Sequence, residues 1–193
     1  LVEAHSELEK KAEERGVNLT YTPYILKACV AGLKKYPILN SSLDEENDEI
    51  VKKEYYNLGF ATDTDAGLMV PVVEDVDEKD IFEVAEEVNR LAEKARERDI
   101  TPEEMRGGTF TVTNVGTVGG EYATPIINYP EVAILATGAI KKRPRVVENE
   151  VVPRHTMTLS LSIDHRVVDG AEAARFTNVV KRHLENPELV LVD

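Results

Sequence analysis

Two periods of hydrophobic residues along the chain predict a mixture of helices and strands. Apolar positions recur with helical spacing in four segments: 1–15, 24–36, 81–98 and 171–184. The segment 24–36 is apolar on several sides and predicts a buried helix, with Thr22 as its N-cap and Pro23 in its first turn. The segment 81–98 has its apolar residues on one face, which is typical of a helix that covers a core.

Runs of β-branched and apolar residues predict strands in the rest of the chain. They lie at 38–43, 50–61, 65–73, 109–115, 132–140 and 151–163. Helices and strands do not alternate as regular βαβ units, so the pattern predicts an α+β fold with a large mixed sheet covered by helices. No repeat or linker-like stretch divides the chain, and we expect a single domain over 1–193.

The net charge and the cysteine content limit which binding partners and which cellular compartment we expect for this chain. The chain has 23 Lys and Arg against 36 Asp and Glu, a formal net charge of −13. Nucleic acids and anionic lipids bind basic surfaces, so we expect neither as a partner. No apolar run approaches the ~20 residues of a membrane helix. The single cysteine, Cys29, lies among small apolar residues and predicts a core position in a reducing compartment. We expect a cytoplasmic location, with a mitochondrial one as the alternative because the sequence begins without Met.

The stretch SLSIDHRVVDG, which begins at residue 160, places charged side chains at a predicted strand end. A histidine accepts and returns a proton near neutral pH, which makes His165 a candidate general base. Asp164, Arg166 and Asp169 are close enough in sequence to hold the imidazole by a hydrogen bond or ion pair. Gly170 predicts a tight turn that presents the ring to a cleft. From spacing alone, a polar turn without catalytic function is the alternative.

A second stretch, GGTFTVTNVGTVGG over 107–120, contains five glycines. Thr113 and Asn114 fall at the end of the predicted strand 109–115, before a glycine loop that we expect to be mobile. Their hydroxyl and amide groups can donate hydrogen bonds to a developing oxyanion. The stretch is not a P-loop, because no Gly-Lys-Ser/Thr follows. A hairpin with a flexible loop is the alternative.

Together these stretches resemble the C-terminal catalytic domain of the dihydrolipoamide acyltransferases, the core components of 2-oxo acid dehydrogenase complexes. The matching stretches are GGTFTVTNVGTVGG (107–120), TPIINYPEVAIL (124–135), LSLSIDHRVVDGAEAARF (159–176) and, more weakly, DAGLMVPVVEDVD (65–77). The family shares the fold of chloramphenicol acetyltransferase. The resemblance therefore implies a two-layer sandwich in which helices cover a large mixed sheet.

The resemblance also implies the roles of individual residues. The family's catalytic histidine falls on His165, the acid four residues later on Asp169, and the hydroxyl that stabilises the tetrahedral intermediate on Thr113. Asp164 and Arg166 would orient the loop that carries the histidine. The reaction would move an acyl group, with acetyl or branched-chain groups favoured, between dihydrolipoamide and coenzyme A without a metal ion. The residues that bind coenzyme A are not assigned.

An assembly is implied as well. The family forms homotrimers with the active site between two subunits, so His165 of one chain would face Thr113 of its neighbour. Trimers build a larger hollow core that works with the 2-oxo acid dehydrogenase and dihydrolipoamide dehydrogenase components. The family's catalytic domain begins before Leu1, so we interpret the chain as N-terminally truncated. The lipoyl group would be carried on a separate domain.

Two other functions remain as alternatives at this point. One is a stand-alone acetyltransferase of a small molecule, against which DHRVVDG and TPIIN argue. The other is a non-catalytic assembly subunit, which the retention of His165 and Thr113 disfavours.

Histidines and basic residues outside these stretches receive structural interpretations. We expect His5 and His183 to be solvent-exposed on charged helices and His155 to be structural. We interpret the basic cluster 141–145 as a solvated turn rather than as a site for the phosphates of coenzyme A.

Overall fold

The computed structural model describes residues 1–191. Four α-helices lie in this part of the chain: α1 (Val2–Glu14), α2 (Tyr21–Lys35), α3 (Ile81–Glu97) and α4 (Gly170–Glu185). It also contains eleven strands: β1 (Ser41–Asp44), β2 (Glu49–Lys52), β3 (Leu58–Phe60), β4 (Thr62–Thr64), β5 (Gly67–Met69), β6 (Val72–Val73), β7 (Phe110–Asn114), β8 (Ala133–Thr137), β9 (Lys141–Val147), β10 (Glu150–Thr156) and β11 (Leu159–Ile163). Short 3₁₀ helices cover Pro37–Leu39, Glu103–Met105, Val115–Val118 and Pro187–Leu191.

Five strands form the central sheet, in the order β11-β8-β7-β3-β6. β7 runs parallel to β3 and β8, whereas β11 and β6 are antiparallel to their neighbours. The other strands pair as three antiparallel hairpins, β1–β2, β4–β5 and β9–β10. Helices α2, α3 and α4 pack over the sheet, which confirms the predicted mixed sheet covered by helices.

Helix α2 is the most deeply buried element of the helical layer. Tyr24 and Cys29 are fully buried, which confirms the predicted core position of the cysteine, and burial raises the pKa of its thiol. Gly32 lets α4 approach closely, because a Cβ atom there would lie 2.6 Å from Cε2 of Phe176. The Phe176 ring packs on Phe110 of β7, with ring centroids 5.4 Å apart. Burial of this apolar surface stabilises the helical layer on the sheet.

Helix α2 begins two residues earlier than its sequence predicts. Its N-cap is Thr20 and its first helical residue is Tyr21, so the prediction of Thr22 as the N-cap is wrong. Thr20 makes no side-chain cap hydrogen bond. Pro23 still fits in the first turn, because the N–H groups of that turn have no partner within the helix.

Several predicted strand runs contain a break. The run 151–163 divides into β10 and β11, which belong to different sheets. The run 132–140 ends at Thr137, and the run 50–61 separates into β2 and β3. Strand-forming residues continue across these breaks, so composition alone does not reveal them.

Two histidines, His5 and His183, are more buried than the sequence predicts. His183 is only 7 % exposed, and its Nδ1 lies 2.8 Å from the carbonyl oxygen of Val179. His5 packs on Tyr21 with ring centroids 4.4 Å apart, and burial lowers the pKa of its imidazole. The prediction that both are solvent-exposed is therefore wrong. His155 lies on β10, the strand before β11, and is exposed, and its structural interpretation stays a prediction.

Candidate active site

Thr113 and His165 lie near opposite ends of the central sheet. β7 and β8 run parallel, and Thr113 is aligned with Ala136 near the end of both strands. β11 runs in the other direction beside β8, so Ala136 is aligned with Ser160 near the start of β11. His165 follows the far end of β11. Within one chain, the two candidate catalytic residues therefore lie at opposite ends of the sheet, measured along the strand direction.

Strand geometry gives the size of this separation. Pairing continues from Ser160 to Asp164, whose backbone N–H donates to the carbonyl oxygen of Val132 at 2.8 Å. These four residue steps span about 13 Å, and the two strand spacings from β11 to β7 add about 10 Å sideways. The backbones of Thr113 and Asp164 are thus separated by about 16 Å. General acid–base catalysis needs the catalytic group within about 3 Å of the reacting group. One chain therefore cannot bring the His165 and Thr113 side chains together at one reacting carbon.

The turn that carries His165 is held by Arg166. The Arg166 guanidinium donates to the Asp164 carboxylate, from Nε at 3.0 Å and from Nη2 at 2.7 Å, and its Nη1 donates to Oε1 of Glu45 at 2.7 Å. The hydrogen bonds from Arg166 hold the pKa of the Asp164 carboxyl below its ordinary value. His165 itself is exposed, and no side chain in the described part of the chain hydrogen-bonds to its ring. The role of Asp164 and Arg166 in orienting the imidazole stays a prediction.

Asp169 caps the helix that follows this turn. Its Oδ1 accepts a hydrogen bond from the backbone N–H of Glu172 at 2.8 Å. This bond lowers the pKa of the Asp169 carboxyl, and the positive charge of Arg175 acts in the same direction. Gly170 is the first residue of α4 and has no positive φ, so the tight glycine turn expected there is wrong.

Thr113 is half-buried near the end of β7. Oδ1 of Asn114 accepts a hydrogen bond from the N–H of Gly116 at 3.0 Å, and the 3₁₀ helix Val115–Val118 follows. A Cβ atom at Gly116 would lie 2.7 Å from the backbone of Ala139. The first part of the expected glycine loop is therefore a short 3₁₀ helix, and Gly116 permits close approach of two chain segments. The expected mobility of the loop stays a prediction. The Thr113 hydroxyl makes no hydrogen bond within residues 1–191.

A buried carboxylate near this strand was missed by sequence reasoning. Glu131 is 6 % exposed, and its Oε1 accepts hydrogen bonds from the Thr111 hydroxyl at 2.8 Å and from the Asn128 side chain at 3.3 Å. Burial raises the pKa of Glu131 to about 7. Thr111 and Thr113 point to the same side of β7, so the buried carboxylate lies under the strand that carries the candidate oxyanion donor. Thr111 and Glu131 are 20 residues apart, and only the folded chain brings them together.

The described residues contain no grouping of three His, Cys, Asp or Glu side chains that could hold a metal ion. Of the helices in this part of the chain, none has the length and apolar character needed to cross a bilayer. The basic cluster 141–145 lies on strand β9, which corrects its interpretation as a turn.

Comparison with known sequences places these features in a family. The family described as 2-oxoacid dehydrogenases acyltransferase (catalytic domain) matches residues 1–192. The dihydrolipoyllysine-residue acetyltransferase component of the pyruvate dehydrogenase complex of Bacillus subtilis is 46 % identical over 193 residues, which are 100 % of this chain and 44 % of that protein. The protein of the same name from Staphylococcus epidermidis is 52 % identical over 182 residues, 94 % of this chain and 42 % of that protein. The chain spans less than half the length of these curated relatives.

Solved structures give the same grouping. Dihydrolipoamide acetyltransferase of Azotobacter vinelandii superposes with a TM-score of 0.94 and 42 % identity, covering 98 % of this chain and 79 % of that one. Crystallographic and enzymatic work on that protein addressed the roles in catalysis of a serine, a histidine 52 residues later and an asparagine four residues after the histidine. Chloramphenicol acetyltransferase, with a TM-score of 0.55, 15 % identity and coverage of 90 % and 81 %, shows the fold alone and confirms the fold expected from the sequence. The chain therefore belongs to the family of 2-oxoacid dehydrogenase acyltransferase catalytic domains.

Proposed function

We propose that this chain is the catalytic domain of a dihydrolipoamide acyltransferase, which moves an acyl group between dihydrolipoamide and coenzyme A. An acetyl group is the favoured cargo, since the relatives in Bacillus subtilis and Staphylococcus epidermidis are acetyltransferase components of pyruvate dehydrogenase complexes. The active site lies between two copies of the chain. The observation that carries this proposal is the placement of His165 and Thr113 at opposite sheet ends, which a site shared between subunits requires.

Residue spacing supports the assignment of roles. Thr113, His165 and Asp169 are separated by the same 52 and four residues as the serine, histidine and asparagine studied in the Azotobacter vinelandii enzyme. Thr113 keeps the hydroxyl of a serine. By this spacing Asp169 corresponds to the asparagine of that enzyme, so we propose a role for Asp169 that does not depend on its negative charge.

The chemistry follows from the residue types. A thiol has an ordinary pKa of about 8.5 and is mostly protonated near pH 7, whereas the thiolate is the nucleophile. His165 accepts the thiol proton of coenzyme A as the sulfur bonds to the thioester carbon. The Thr113 hydroxyl of the neighbouring copy donates a hydrogen bond to the oxyanion that forms. The imidazolium of His165 then returns the proton to the departing sulfur of the lipoyl group.

A pair of substitutions at Thr113 tests the oxyanion role. Thr113→Val keeps the volume and removes the hydroxyl, and we expect kcat to fall about 10²- to 10³-fold. Thr113→Ser keeps the hydroxyl and is the matched control, with activity within a few-fold of the unmodified protein. Equal activities for the two variants would remove Thr113 from the reaction.

Replacement of His165 tests the base. His165→Ala removes the group that accepts the thiol proton, so acyl transfer from acetyl-dihydrolipoamide to coenzyme A should be lost. The exposed ring has no hydrogen-bond partner in residues 1–191, so the variant should fold and assemble normally. An unchanged rate would eliminate the base role.

Mixing these two variants tests whether the site is shared between chains. His165→Ala chains retain the threonine and Thr113→Val chains retain the histidine, so some subunit interfaces of a mixed assembly contain both groups. Random mixing of equal amounts should restore about a quarter of the sites of a cyclic oligomer. Absence of any recovery, with mixing proved by differently tagged chains, would contradict a shared site.

The assembly and the partners belong to the same proposal. We propose a homotrimer in which each active site lies between two neighbouring subunits. We propose that its trimers form a larger core which serves 2-oxo acid dehydrogenase and dihydrolipoamide dehydrogenase components in the cytoplasm. A solved structure in the same family is the cubic core of a pyruvate dehydrogenase multienzyme complex, with a TM-score of 0.93 and 42 % identity over 98 % of this chain and 79 % of that one. Sedimentation analysis of the purified chain measures the particle size directly.

A further inference from the structure

The turn that carries His165 is anchored to the fold at its two ends. At the first end, the N–H of Asp164 donates to the carbonyl oxygen of Val132 at 2.8 Å. Inside the turn, the N–H groups of Val167 and Val168 both donate to the carbonyl oxygen of Asp164, each at 3.0 Å. Val168 is fully buried and anchors the second end. His165 lies between these anchors and is exposed, so its position depends on how firmly the turn is held.

An ion pair joins this turn to the β1–β2 hairpin. Within residues 1–191, the bond from Nη1 of Arg166 to Oε1 of Glu45, at 2.7 Å, is the one side-chain hydrogen bond between the turn 164–168 and another element. Exposed ion pairs usually contribute little, because ordering two long side chains opposes the attraction. Here Asp164 already binds Nε and Nη2 of the same guanidinium, so less freedom is lost when Nη1 binds Glu45. The guanidinium is therefore a rigid link between Asp164 and Glu45.

Glu45 itself projects from a structured turn. Asp44 is the last residue of β1, and its Oδ1 accepts hydrogen bonds from the N–H groups of Glu46 at 3.0 Å and Asn47 at 3.2 Å. Its Oδ2 accepts from the side-chain amide of Asn47 at 2.8 Å. An aspartate that bonds to the backbone of its own turn restricts the conformation of the residues that follow it. The turn therefore presents the Glu45 carboxylate from a fixed backbone.

The hairpin and the His165 turn are attached to one segment of the central sheet. Ser42 of β1 forms an antiparallel bridge with Glu131. The next residue, Val132, accepts the hydrogen bond from Asp164. The ion pair thus closes a ring of contacts that runs from this segment through the hairpin and the guanidinium to the turn. Such a ring limits the movement of the turn relative to the sheet.

We propose that Glu45 is a positioning residue for His165 and acts through Arg166. The inference rests on the proposed function, because it names a residue that supports the same catalytic base. No hydrogen bond joins Glu45 to the imidazole within residues 1–191, so its effect passes through the guanidinium and Asp164 to the backbone of the turn. Displacement of a catalytic group by about 1 Å lowers a rate by up to about 10²-fold. Loss of the Glu45 contact leaves the other anchors in place and should have a smaller effect.

Glu45→Ala tests this role in acyl transfer from acetyl-dihydrolipoamide to coenzyme A. We expect kcat to fall about three- to tenfold, because the base is held less precisely. The KM values of both substrates should stay within about twofold, because the substitution changes the position of the base and not the groups that bind the substrates. An unchanged kcat would overturn the proposal.

Glu46→Ala is the matched control. It removes the same charge from the next residue of the same turn, and the Glu46 side chain makes no hydrogen bond or ion pair within residues 1–191. Its kcat should equal that of the unmodified chain. An equal loss of kcat in Glu45→Ala and Glu46→Ala would assign the effect to the charge of the turn and would contradict a positioning role.

A double-mutant cycle tests whether Glu45 acts through Arg166. Arg166→Ala removes the guanidinium that links Glu45 to the turn. In that background Glu45→Ala should change kcat by less than about twofold, because the contact is already lost. If the two substitutions lower kcat independently, so that their effects multiply, Glu45 acts by another route and the proposal is wrong.

Hydrogen exchange of the turn separates this proposal from the proposed function. The N–H groups of Val167 and Val168 are hydrogen-bonded, so their exchange reports how often the turn opens. Mass spectrometry of peptides that span 164–168, from the assembled chain, should show exchange at least about threefold faster in Glu45→Ala and unchanged in Glu46→Ala. A lack of acyl transfer in the unmodified chain would contradict the proposed function, while faster exchange would still support the hold of Glu45 on the turn. Unchanged exchange in Glu45→Ala would overturn that hold.

Discussion

Replacement of the buried Glu131 by glutamine should change how the stability of this chain depends on pH. The ordinary pKa of this carboxyl is 4.5, and burial raises it to about 7 in the folded chain. Between these two pH values the folded chain binds a proton that the unfolded chain has released. The free energy of unfolding therefore falls as pH rises from about 4.5 to about 7.

The size of this effect follows from the pKa difference. A pKa difference of 1 between the folded and unfolded chain corresponds to about 1.4 kcal/mol. The charged carboxylate therefore destabilises the folded chain by about 3 kcal/mol at pH 8. About 2 kcal/mol of this difference develops between pH 5 and pH 8. Lys53 supplies a nearby positive charge that lowers the pKa of Glu131, but burial outweighs it. The second carboxylate oxygen, Oε2, has no hydrogen-bond partner within residues 1–191, which is consistent with the dominance of burial.

Urea unfolding at fixed protein concentration, at pH 5, 6, 7 and 8, measures the difference. Glu131→Gln cannot ionise and keeps an oxygen that accepts from the Thr111 hydroxyl. Its stability relative to the unmodified chain should rise with pH by about 2 kcal/mol over this range. Glu93→Gln, on the exposed side of α3, is the matched control and should show no such trend. A constant difference between Glu131→Gln and the unmodified chain from pH 5 to pH 8 would refute the reasoning.

Three further outcomes are expected. Gly32→Ala should lower the free energy of unfolding by about 1–3 kcal/mol, because its Cβ would overlap the fully buried ring of Phe176. Thermal unfolding measures this loss, and an unchanged midpoint would contradict the overlap. Asp169→Ala should lower the denaturant midpoint by removing the oxygen that caps α4 at Glu172, whereas Asp169→Asn should preserve it. Cys29 should react with a thiol reagent only at the rate of local or global unfolding, since burial raises the pKa of its thiol and shields its sulfur from solvent. Rapid reaction in native buffer would contradict its packing.

Helix α3 shows what the sequence can predict well. Its predicted span, 81–98, differs from the observed Ile81–Glu97 by one residue. The apolar face is unbroken, and Asp80 and Glu83 form a capping box that fixes the start. Arg98 then ends the helix with a positive φ of 62°. Helix α2 lacks such a cap, and its start was misplaced accordingly.

The arrangement of the site could not be read from the sequence alone. The strand that ends near Thr113 and the strand that precedes His165 were both predicted, but their relative direction depends on β8, which lies between them. The contact of Arg166 with Glu45 joins residues 121 positions apart. Neither the relative strand direction nor the contact of Arg166 with Glu45 produces a recognisable spacing of residues in the sequence, because both depend on the order in which the strands pair.

Asp169 illustrates why sequence position and side-chain role must be separated. Read in sequence, an acid four residues after a histidine predicts an electrostatic partner for the imidazole. In the fold, the same carboxylate accepts a hydrogen bond from the first turn of α4, and that bond is the largest influence on its pKa. Asparagine and aspartate cap helices about equally well, which accounts for an asparagine at the equivalent spacing in the Azotobacter vinelandii enzyme. We therefore propose that Asp169 serves the geometry of the turn between β11 and α4, from which His165 projects, rather than supplying a charge beside the ring.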